Sequence, residues 1–382
     1  MDSNMNNELS ELLTLDDFEE PVYKLPKFSI VLFIVAAVTA VIHALTSISP
    51  SLADFINVNV SRWVRFLLAH ATNLIPFSVA EMLIIGLPVI FVALCVYSVR
   101  KYADTTRHLV IFMLTALSLL SLFYTLFFWS FGAAYNGSPL EDKLGLETAA
   151  VSAQELKETA EILIEKTNEA AQEISFRKSG FSVMPYNIGE LSHKLCEAYE
   201  KAYKKYDFIT PLTSSLKPVI LSEPWSYTHI TGVYSYFTGE ANLNVAFPDY
   251  TVAYTAAHEL AHQRGIAPED EANFVAFLVC LESDDPYIRY SGYTNMLEYV
   301  LSALYRADGK AYTEVYRKID NSVRREFVAY SNFFDKYRDS VASEVADKVN
   351  DTYLKVNGTE GSVSYGLVVD IAVAYYKNEN NG

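Results

Sequence analysis

Three long apolar runs near the start of the chain constrain its fold more than any other feature of the sequence. Residues 28–47 read FSIVLFIVAAVTAVIHALTS and contain no Asp, Glu, Lys or Arg. This is about the 20 residues that a helix needs to cross a hydrocarbon core about 30 Å thick. Comparable runs cover residues 79–99 and 109–131. The sequence therefore predicts three transmembrane helices, and a lipid bilayer is the first partner that we expect.

The composition agrees with a membrane protein and excludes several other classes. Of the 382 residues, 51% are hydrophobic and only 20% are charged, which is too apolar for a disordered chain or an ordinary soluble protein. Acidic residues outnumber basic ones by 46 to 30, and the net charge of −16 argues against nucleic acid as a partner. The three cysteines are far apart and show no CxxC spacing, so neither a disulfide scaffold nor a thiolate metal site is expected.

Charges beside the three apolar runs predict the topology. Residues 1–27 form an acidic segment that we interpret as a cytosolic tail, and the first 20 of them include seven acids and no Lys or Arg. Five basic residues flank the runs on the side of the N-terminus and three lie on the opposite side, which favours an N-terminus inside the cell. They are Lys24, Lys27, Arg100, Lys101 and Arg107 against Arg62, Arg65 and Lys143. With three spans, everything after residue 135 is then expected to be extracytoplasmic.

The segment between the first two runs is predicted to lie in the membrane surface. In the stretch SRWVRFLLAHATNLI, Arg62 and Arg65 share a charged helical face, and Trp63, Phe66 and Leu67 supply apolar surface. Such an amphipathic pattern is typical of an interfacial helix.

Residues 136–382 are predicted to form a mostly helical α+β domain that follows a membrane domain at 28–135. The length is enough for one domain with its own hydrophobic core. Apolar positions that recur about every 3.6 residues predict helices, and β-branched and aromatic residues between about 209 and 250 predict a small β-sheet. The predicted helices cover residues 149–176, 188–206, 251–264, 268–283, 293–305, 311–354 and 363–376. The predicted fold class is thus mainly α.

The stretch H-E-L-A-H at residues 258–262 is the most informative motif for function. His258 and His262 are four residues apart on a predicted helix, so about 40° of rotation separates them and both imidazoles face one way. Two imidazole nitrogens placed in this manner reach one Zn²⁺ at roughly 2.0 to 2.1 Å. Glu259 would lie beside the metal, where its carboxylate takes a proton from a water molecule. The motif therefore predicts a zinc hydrolase with Glu259 as general base.

A catalytic zinc site needs a third protein ligand, and the residues after His262 supply candidates. Gly265 is expected to end the helix in a left-handed conformation, and Pro268 fits the first position of a new helix. Acids in the first turn of that helix stay ionised beside its dipole, which favours cation binding. We assign Glu269 as the third ligand, with Glu271 as the alternative. Acids that follow Pro are also common as helix caps, so a purely structural role for both stays open.

The stretch HELAHQRGIAPEDEANF resembles the signature of a bacterial membrane-protein family known only as domain-of-unknown-function family 3810, which shares the layout of three N-terminal spans and a helical domain. It is also similar to zincin metallopeptidases of the gluzincin type, whose third ligand is the Glu of E-x-x-A-N or E-x-x-A-D. Here Glu269, Ala272 and Asn273 occupy those places. The resemblance implies a zincin-like domain in which Glu269 binds zinc and the Asn273 amide orients a histidine ligand. Gluzincins usually place this Glu farther from the second His, so the choice between Glu269 and Glu271 stays open.

The segment just before the motif, residues 232–248, also resembles that family. In zincins a strand before the metal helix forms the rim of the cleft and pairs with an extended peptide. By this resemblance the candidate edge strand is Asn242, Leu243, Asn244 and Val245, and a purely structural hairpin is the alternative. A side-chain donor that stabilises the oxyanion is also expected. The candidates for it are His229, Tyr234, Tyr236, Tyr290 and Tyr293.

Together these observations predict a membrane-anchored zinc-dependent peptidase, in which a metal-activated water hydrolyses peptide bonds of a peptide or protein substrate outside the cytoplasm. A motif buried in lipid is excluded, because charges crowd it at Arg264, Glu269, Asp270 and Glu271. The alternative function is a catalytically silent membrane sensor or scaffold that uses a zincin fold to bind a peptide or partner. Glu259 disfavours this alternative, because a pure binding site needs no general base between its ligands.

Overall fold

A computed structural model describes residues 24–102, 106–359 and 364–381. All but the last four residues of the predicted acidic tail, 1–27, lie outside the described residues. The described chain is mainly helical and contains one small three-stranded β-sheet. The predicted fold class, mainly α with a small sheet, is thereby confirmed.

Three of the described helices are long and apolar enough to cross a membrane, as the sequence predicts. Most of their apolar side chains are exposed, among them Val41 and Ile90, and contact with lipid requires an exposed apolar surface of this kind. The first part of the chain contains, in order, α1 (Lys27–Thr46), α2 (Pro50–Ile56), a π-helix (Asn57–Ser61), α3 (Arg62–Asn73), α4 (Val79–Tyr102) and α5 (Thr106–Ser130). The three long apolar helices are α1, α4 and α5.

Helix α3 buries one face in the protein and exposes the other. Trp63 and Leu67 are 53% and 67% exposed, as an interfacial helix requires. Arg65 is only 1% exposed, so the predicted charged face of Arg62 and Arg65 does not form. The reason is that the Arg65 guanidinium finds oxygen acceptors inside the protein, including the backbone oxygen of Ser130 at 2.9 Å. Hydrogen bonds to such acceptors offset part of the cost of burying a charge.

The described chain divides into two compact units. The first contains the described residues up to Val38 together with Leu87–Thr125, and within it the hydroxyl of Ser118 donates to that of Ser29 at 2.9 Å. The second contains Thr39–Gly86 and everything described from Leu126 onward. One end of each long apolar helix thus belongs to the same unit as the C-terminal part of the chain.

Helices dominate the second unit, and polar caps explain where several of them begin. Ser152 and Glu155 form a capping box at the start of α7 (Ala153–Ala171), and the Ser340 side chain caps α15 (Val341–Val356). The helical stretch predicted at 311–354 is interrupted twice, so it comprises α13, α14 and α15. The helices of this part of the chain are, in order, a 3₁₀ turn (Gly132–Asn136), α6 (Leu140–Leu144), α7, α8 (Ile188–Lys205), α9 (Ser222–Ser226), α10 (Asp249–Gln263), α11 (Glu269–Leu281), α12 (Pro286–Ala307), α13 (Gly309–Tyr316), α14 (Asn321–Phe334), α15 and α16 (Ser364–Asn381).

The sheet consists of β1 (Lys217–Pro218), β2 (Gly232–Ser235) and β3 (Glu240–Leu243), in the order β1-β3-β2. β3 is the central strand, parallel to β1 and antiparallel to β2.

The prediction that Asn242, Leu243, Asn244 and Val245 form an edge strand is therefore wrong. Asn242 and Leu243 belong to β3, and the other two residues follow it. The two-residue strand β1 occupies the side of β3 that we expected to be free, and Pro and Lys gave little signal for a strand in the sequence. The edge strand beside the metal-binding motif is β2.

Helix α10 lies at the centre of the second unit and contacts β2, β3, α11 and α12. Ala253, Ala256, Ala257 and Ala261 are all fully buried, and their small side chains allow these neighbours to approach closely. The backbone oxygen of Ala257 accepts a hydrogen bond from the Tyr199 hydroxyl at 2.6 Å. The segment that carries H-E-L-A-H is thus held on several sides by the core.

Candidate metal centre

The end of α10 is a glycine turn that directs the chain into α11. Gly265 has a φ of +92°, its N–H donates to His262 O, and the N–H of Ile266 donates to Ala261 O. This pair of hydrogen bonds is the Schellman motif, and the predicted left-handed conformation at Gly265 is confirmed. Pro268 then precedes α11, whose first residue is Glu269. The short turn brings the first turn of α11 back toward the histidines of α10.

Three ligand atoms converge at this turn. Atoms of His258, His262 and Glu269 lie within 4.8 Å of one another. The Nε2 atom of His258 is 3.2 Å from one carboxylate oxygen of Glu269, and the Nε2 atom of His262 is 3.6 Å from the other. Both side chains of the i, i+4 pair therefore point to one carboxylate, and the sequence had grouped these three residues as ligands.

Glu271, the alternative ligand, lies outside this group. Two residues along a helix correspond to about 200° of rotation, so its side chain leaves α11 on the opposite face from Glu269. Its carboxylate accepts a hydrogen bond from the Leu140 N–H at 3.1 Å. Burial raises the pKa of Glu271 to about 8. Of the two candidates for the third ligand, the structure thus places Glu269, and not Glu271, beside the two imidazoles.

Asn273 lies beside the cavity next to the histidines, but its amide does not orient either ring. The Nδ2 atom of Asn273 is buried and has no hydrogen-bond partner in the described part of the chain. The Nδ1 atom of His262 is instead 2.7 Å from the backbone oxygen of Ile266. The sequence predicts that the side chain of Asn273 orients a histidine ring. For His262 the backbone carbonyl group of Ile266 does so instead, because the glycine turn folds residue 266 back over the last turn of α10.

Glu259 is held next to the histidines by β2. Its carboxylate accepts a hydrogen bond from the backbone N–H of Tyr234, while its Oε2 atom is buried without a partner among the described residues. Burial raises the pKa of Glu259 to about 7, although the neighbouring His258 and His262 oppose this shift. A Cβ atom at Gly232 would lie 2.6 Å from Glu259 Oε1, so only glycine leaves room for this carboxylate.

The charges of the cluster favour its ionised forms. Burial by itself lowers the pKa of His262, but the carboxylates of Glu269 and Glu259 outweigh this and raise it to about 9. Burial likewise raises the pKa of Glu269, but the two imidazoles outweigh it and hold this pKa well below its usual range. A protonated imidazole thus stabilises the negative charge of the Glu269 carboxylate. A metal ion at this position would replace that proton, because imidazole must be neutral to bind a metal.

A cavity of about 800 Å³ opens beside the cluster. This volume is typical of sites that bind small molecules or short peptides. His258, Glu259, His262 and Glu269 all line it. The buried Nδ1 atom of His258 has no hydrogen-bond partner among the residues that the structure describes. Two imidazoles and a carboxylate that converge in such a cavity, beside unpaired buried polar atoms, fit the donor set of a divalent metal ion.

Several aromatic residues around the cavity were assigned no role by the sequence. Tyr135, from the 3₁₀ turn, and Tyr353, from α15, line the cavity, and their hydroxyls are 3.2 Å apart. Burial raises the pKa of Tyr135, and the charge of Glu269 adds to this shift. No sequence signal links these two tyrosines, because 218 positions separate them.

The candidates for the oxyanion donor divide into two groups. His229, Tyr234 and Tyr236 line the cavity. Tyr290 instead donates a hydrogen bond to Glu326, and Tyr293 packs its ring against Phe277.

The comparison with known proteins identifies a family for this chain. No curated protein and no solved structure matches the chain. Residues 57–373 match a family described as a protein of unknown function, DUF3810. The matched range begins in the π-helix, includes the sheet and the candidate metal centre, and ends in α16. Because this range covers most of its length, the chain belongs to the DUF3810 family.

Proposed function

We propose that this chain is a membrane-anchored, zinc-dependent peptidase with a zincin-like domain of the gluzincin type. The observation that carries the proposal is the convergence of His258, His262 and Glu269 on one point, with the carboxylate of Glu259 beside them in a large cavity. Two imidazoles and one carboxylate are a common ligand set of catalytic zinc sites, which keep a fourth position for water or substrate.

The chain's own residues position the groups that react. The backbone oxygen of Ile266 fixes the ring of His262, and the N–H of Tyr234 fixes the carboxylate of Glu259. Gly232 leaves the space that this carboxylate occupies. Zinc, when bound, supplies Lewis-acid chemistry, because it polarises a carbonyl group and lowers the pKa of water to about 7.

Glu259 moves the protons of the hydrolysis. Its carboxylate takes a proton from water while the oxygen of that water adds to the carbonyl carbon of the peptide bond. It then gives this proton to the nitrogen as the C–N bond breaks, so the products are an amine and a carboxylic acid that ionises. Burial raises the pKa of the Glu259 carboxyl, which makes it a stronger base for the first step.

β2 is the strand that offers main-chain pairing to an extended substrate. It pairs with β3 on one side and is an edge of the sheet on the other, and Gly232, Val233 and Tyr234 line the cavity. A peptide that adds to this edge lies beside Glu259. Recognition through the main chain makes little demand on the side chains of the substrate.

The cavity faces the extracytoplasmic side in this proposal. The excess of basic residues on the predicted cytosolic side of the spans supports this topology. Five flanking basic residues lie on the predicted cytosolic side, against Arg62, Arg65 and Lys143 on the other. Protease protection in sealed membrane vesicles tests it: protection of the C-terminal part from protease on the cytosolic face is expected, and cleavage from that face contradicts it.

Metal analysis and peptide cleavage with the purified full chain test the proposed activity. In detergent we expect about one equivalent of zinc per chain and slow cleavage of a diverse peptide pool that a chelator stops and added zinc restores. Glu259→Gln is expected to keep the zinc and lose cleavage, because it removes the base and no ligand. His258→Ala is expected to lose both.

A matched control is His193→Ala, because His193 lies exposed on α8. We expect it to keep both the zinc and the activity. Cleavage that survives in Glu259→Gln would refute the mechanism. One equivalent of zinc without cleavage of any peptide would favour the alternative function, a catalytically silent membrane sensor or scaffold.

A further inference from the structure

We infer that the substrates of this site are polypeptide segments at the surface of the bilayer, in chains that are themselves anchored in the membrane. Freely diffusing peptides are then poor substrates in an intact membrane. The inference rests on the proposed function and names the substrate class for the same site. It is carried by the place of the metal centre relative to the ends of the apolar helices in the second compact unit.

The end of α5 touches a proposed metal ligand. Phe131 directly follows Ser130, the last residue of α5, and its ring packs edge-on against the ring of His262 with 5.7 Å between the centroids. Phe131 and Tyr135 also line the cavity. One wall of the proposed active site is therefore built from residues that directly follow the third apolar helix.

Arg65 fixes this arrangement from a second side. Its guanidinium donates to the backbone oxygen of Ser130 at 2.9 Å and to that of Arg264 at 3.4 Å. The amide of Asn57 donates to the backbone oxygen of Gly265 at 2.9 Å. The buried side chain of Arg65 thus holds both the end of α5 and the turn between the ligands His262 and Glu269, and Asn57 adds a second hydrogen bond to that turn.

The sheet is attached to the start of α4 in a similar way. The carboxylate of Glu240, in β3, accepts hydrogen bonds from the N–H groups of Val79 at 3.1 Å and Ala80 at 2.8 Å. In return, the carboxylate of Glu81 in α4 accepts from the N–H groups of Ile220 and Leu221. A carboxylate at a helix N-terminus is favourable because of the helix dipole. The domain that carries the metal centre is therefore fixed directly on the helix ends, without a flexible linker.

Helix α3 indicates where the membrane surface lies. Trp63, Phe66 and Leu67 are exposed on one face, and the guanidinium of Arg62 lies 4.9 Å above the ring of Trp63. An exposed Trp with Arg and Leu between two spanning helices is typical of a helix in the headgroup region. The opposite face of the same helix contributes Arg65. Lipid and the turn of the metal centre are thus separated by about the diameter of one helix, roughly 10 Å.

The distance between the bilayer and the metal ligands determines which polypeptide segments reach the site. The headgroup regions add about 5 to 8 Å on each side of the hydrocarbon core, so the ligands lie in or directly above this layer. An extended chain advances about 3.3 Å per residue. A polypeptide that leaves the bilayer beside the protein therefore presents its first roughly three to six residues to the cavity. A peptide in free solution first has to enter the headgroup region.

The position of cleavage relative to the membrane tests the inference. The full chain is reconstituted in vesicles together with a substrate that has one transmembrane helix followed by tandem copies of a sequence cleaved in the detergent assay. Because each copy offers the same bond, mass spectrometry of the products reports the effect of distance alone. We expect at least ten times more cleavage in the copy nearest the bilayer than in the fourth copy.

A Gly-Ser spacer of about 20 residues between the helix and the first copy is expected to reduce total cleavage at least tenfold. Both substrates are equally concentrated in the membrane, so local concentration does not explain such a difference. Equal cleavage of all copies, or no effect of the spacer, would overturn the inference while leaving the peptidase proposal intact. No cleavage of any substrate by the zinc-loaded chain, in detergent or in vesicles, would overturn both. Vesicles with the Glu259→Gln variant control for a contaminating protease.

Discussion

Gly232→Ala is the substitution that best tests the position of the general base, because it changes no metal ligand. A Cβ atom at this position would lie 2.6 Å from Glu259 Oε1, 2.8 Å from Glu259 Cγ and 2.7 Å from Thr255 Cγ2. Ordinary van der Waals contact begins at 3.4 Å, so the carboxylate of Glu259 has to move by about 0.8 Å. The variant therefore displaces the base and leaves the three ligand atoms in place.

The size of the effect follows from this displacement. A misplacement of about 1 Å at a reacting group costs about 100-fold in rate. We expect kcat/KM to fall by about 30- to 100-fold, which corresponds to about 2 to 3 kcal/mol in the activation free energy. Overpacking at this half-buried position also lowers the free energy of unfolding, by up to about 1 to 3 kcal/mol. Zinc content is expected to stay at the wild-type value.

Steady-state kinetics and metal analysis on the same samples check this prediction, with thermal unfolding as a test of folding. Gly309→Ala is the matched control, because a Cβ atom there has no described neighbour within 4 Å. We expect the control to keep the wild-type kcat/KM. A Gly232→Ala variant that is folded, loaded with zinc and fully active would show that Glu259 is not the base, or that its position does not matter.

Three further results are expected. Glu269→Gln lowers zinc affinity by at least about 100-fold in competition with a chelator, whereas Glu271→Gln leaves it unchanged, and equal losses would contradict the ligand assignment. Because burial raises the pKa of Glu271 from 4.5 to about 8, its contribution to stability is full below pH 4.5 and is lost as the pH rises to 8. Between pH 4.5 and 8 the free energy of unfolding of Glu271→Gln, measured by thermal unfolding, should therefore rise relative to that of the wild type by about 1.4 kcal/mol per pH unit. A difference in stability that does not change with pH would refute the raised pKa of Glu271. Arg65→Met lowers the free energy of unfolding by about 3 kcal/mol or more, because the carbonyl groups of Ser130 and Arg264 lose their donor. The control is Arg62→Met, on the outer side of α3, which should change the free energy of unfolding little.

Features set by local sequence were predicted well. The three apolar helices follow from long hydrophobic runs, and an i, i+4 spacing is enough to place His258 and His262 on one face. Gly265 was predicted to be left-handed because only glycine adopts this conformation without strain. The grouping of Glu269 with the histidines depended on a turn short enough to be read from the sequence.

Features that depend on distant partners were not predicted. Arg65 was taken for a surface charge, because its acceptors come from Ser130 and Arg264, far along the chain. Asn242 was placed at an edge because β1 is only two residues long and leaves no periodic pattern. Such errors share one cause: periodicity reports which face of an element is apolar, but not which element covers it.

The bonds between the sheet and the connection that joins the first two apolar helices have a practical consequence. Lys217 donates to the backbone oxygens of Thr72, in the last turn of α3, and of Ile75, just after that helix, and Glu240 caps α4. A fragment that starts at residue 136, where a soluble ectodomain would ordinarily be cut, lacks these partners. The buried charged side chains of Lys217 and Glu240 then have no hydrogen bonds to residues 72–80. Such a fragment is expected to aggregate, so biochemistry on this protein has to begin with the intact polypeptide in detergent or lipid.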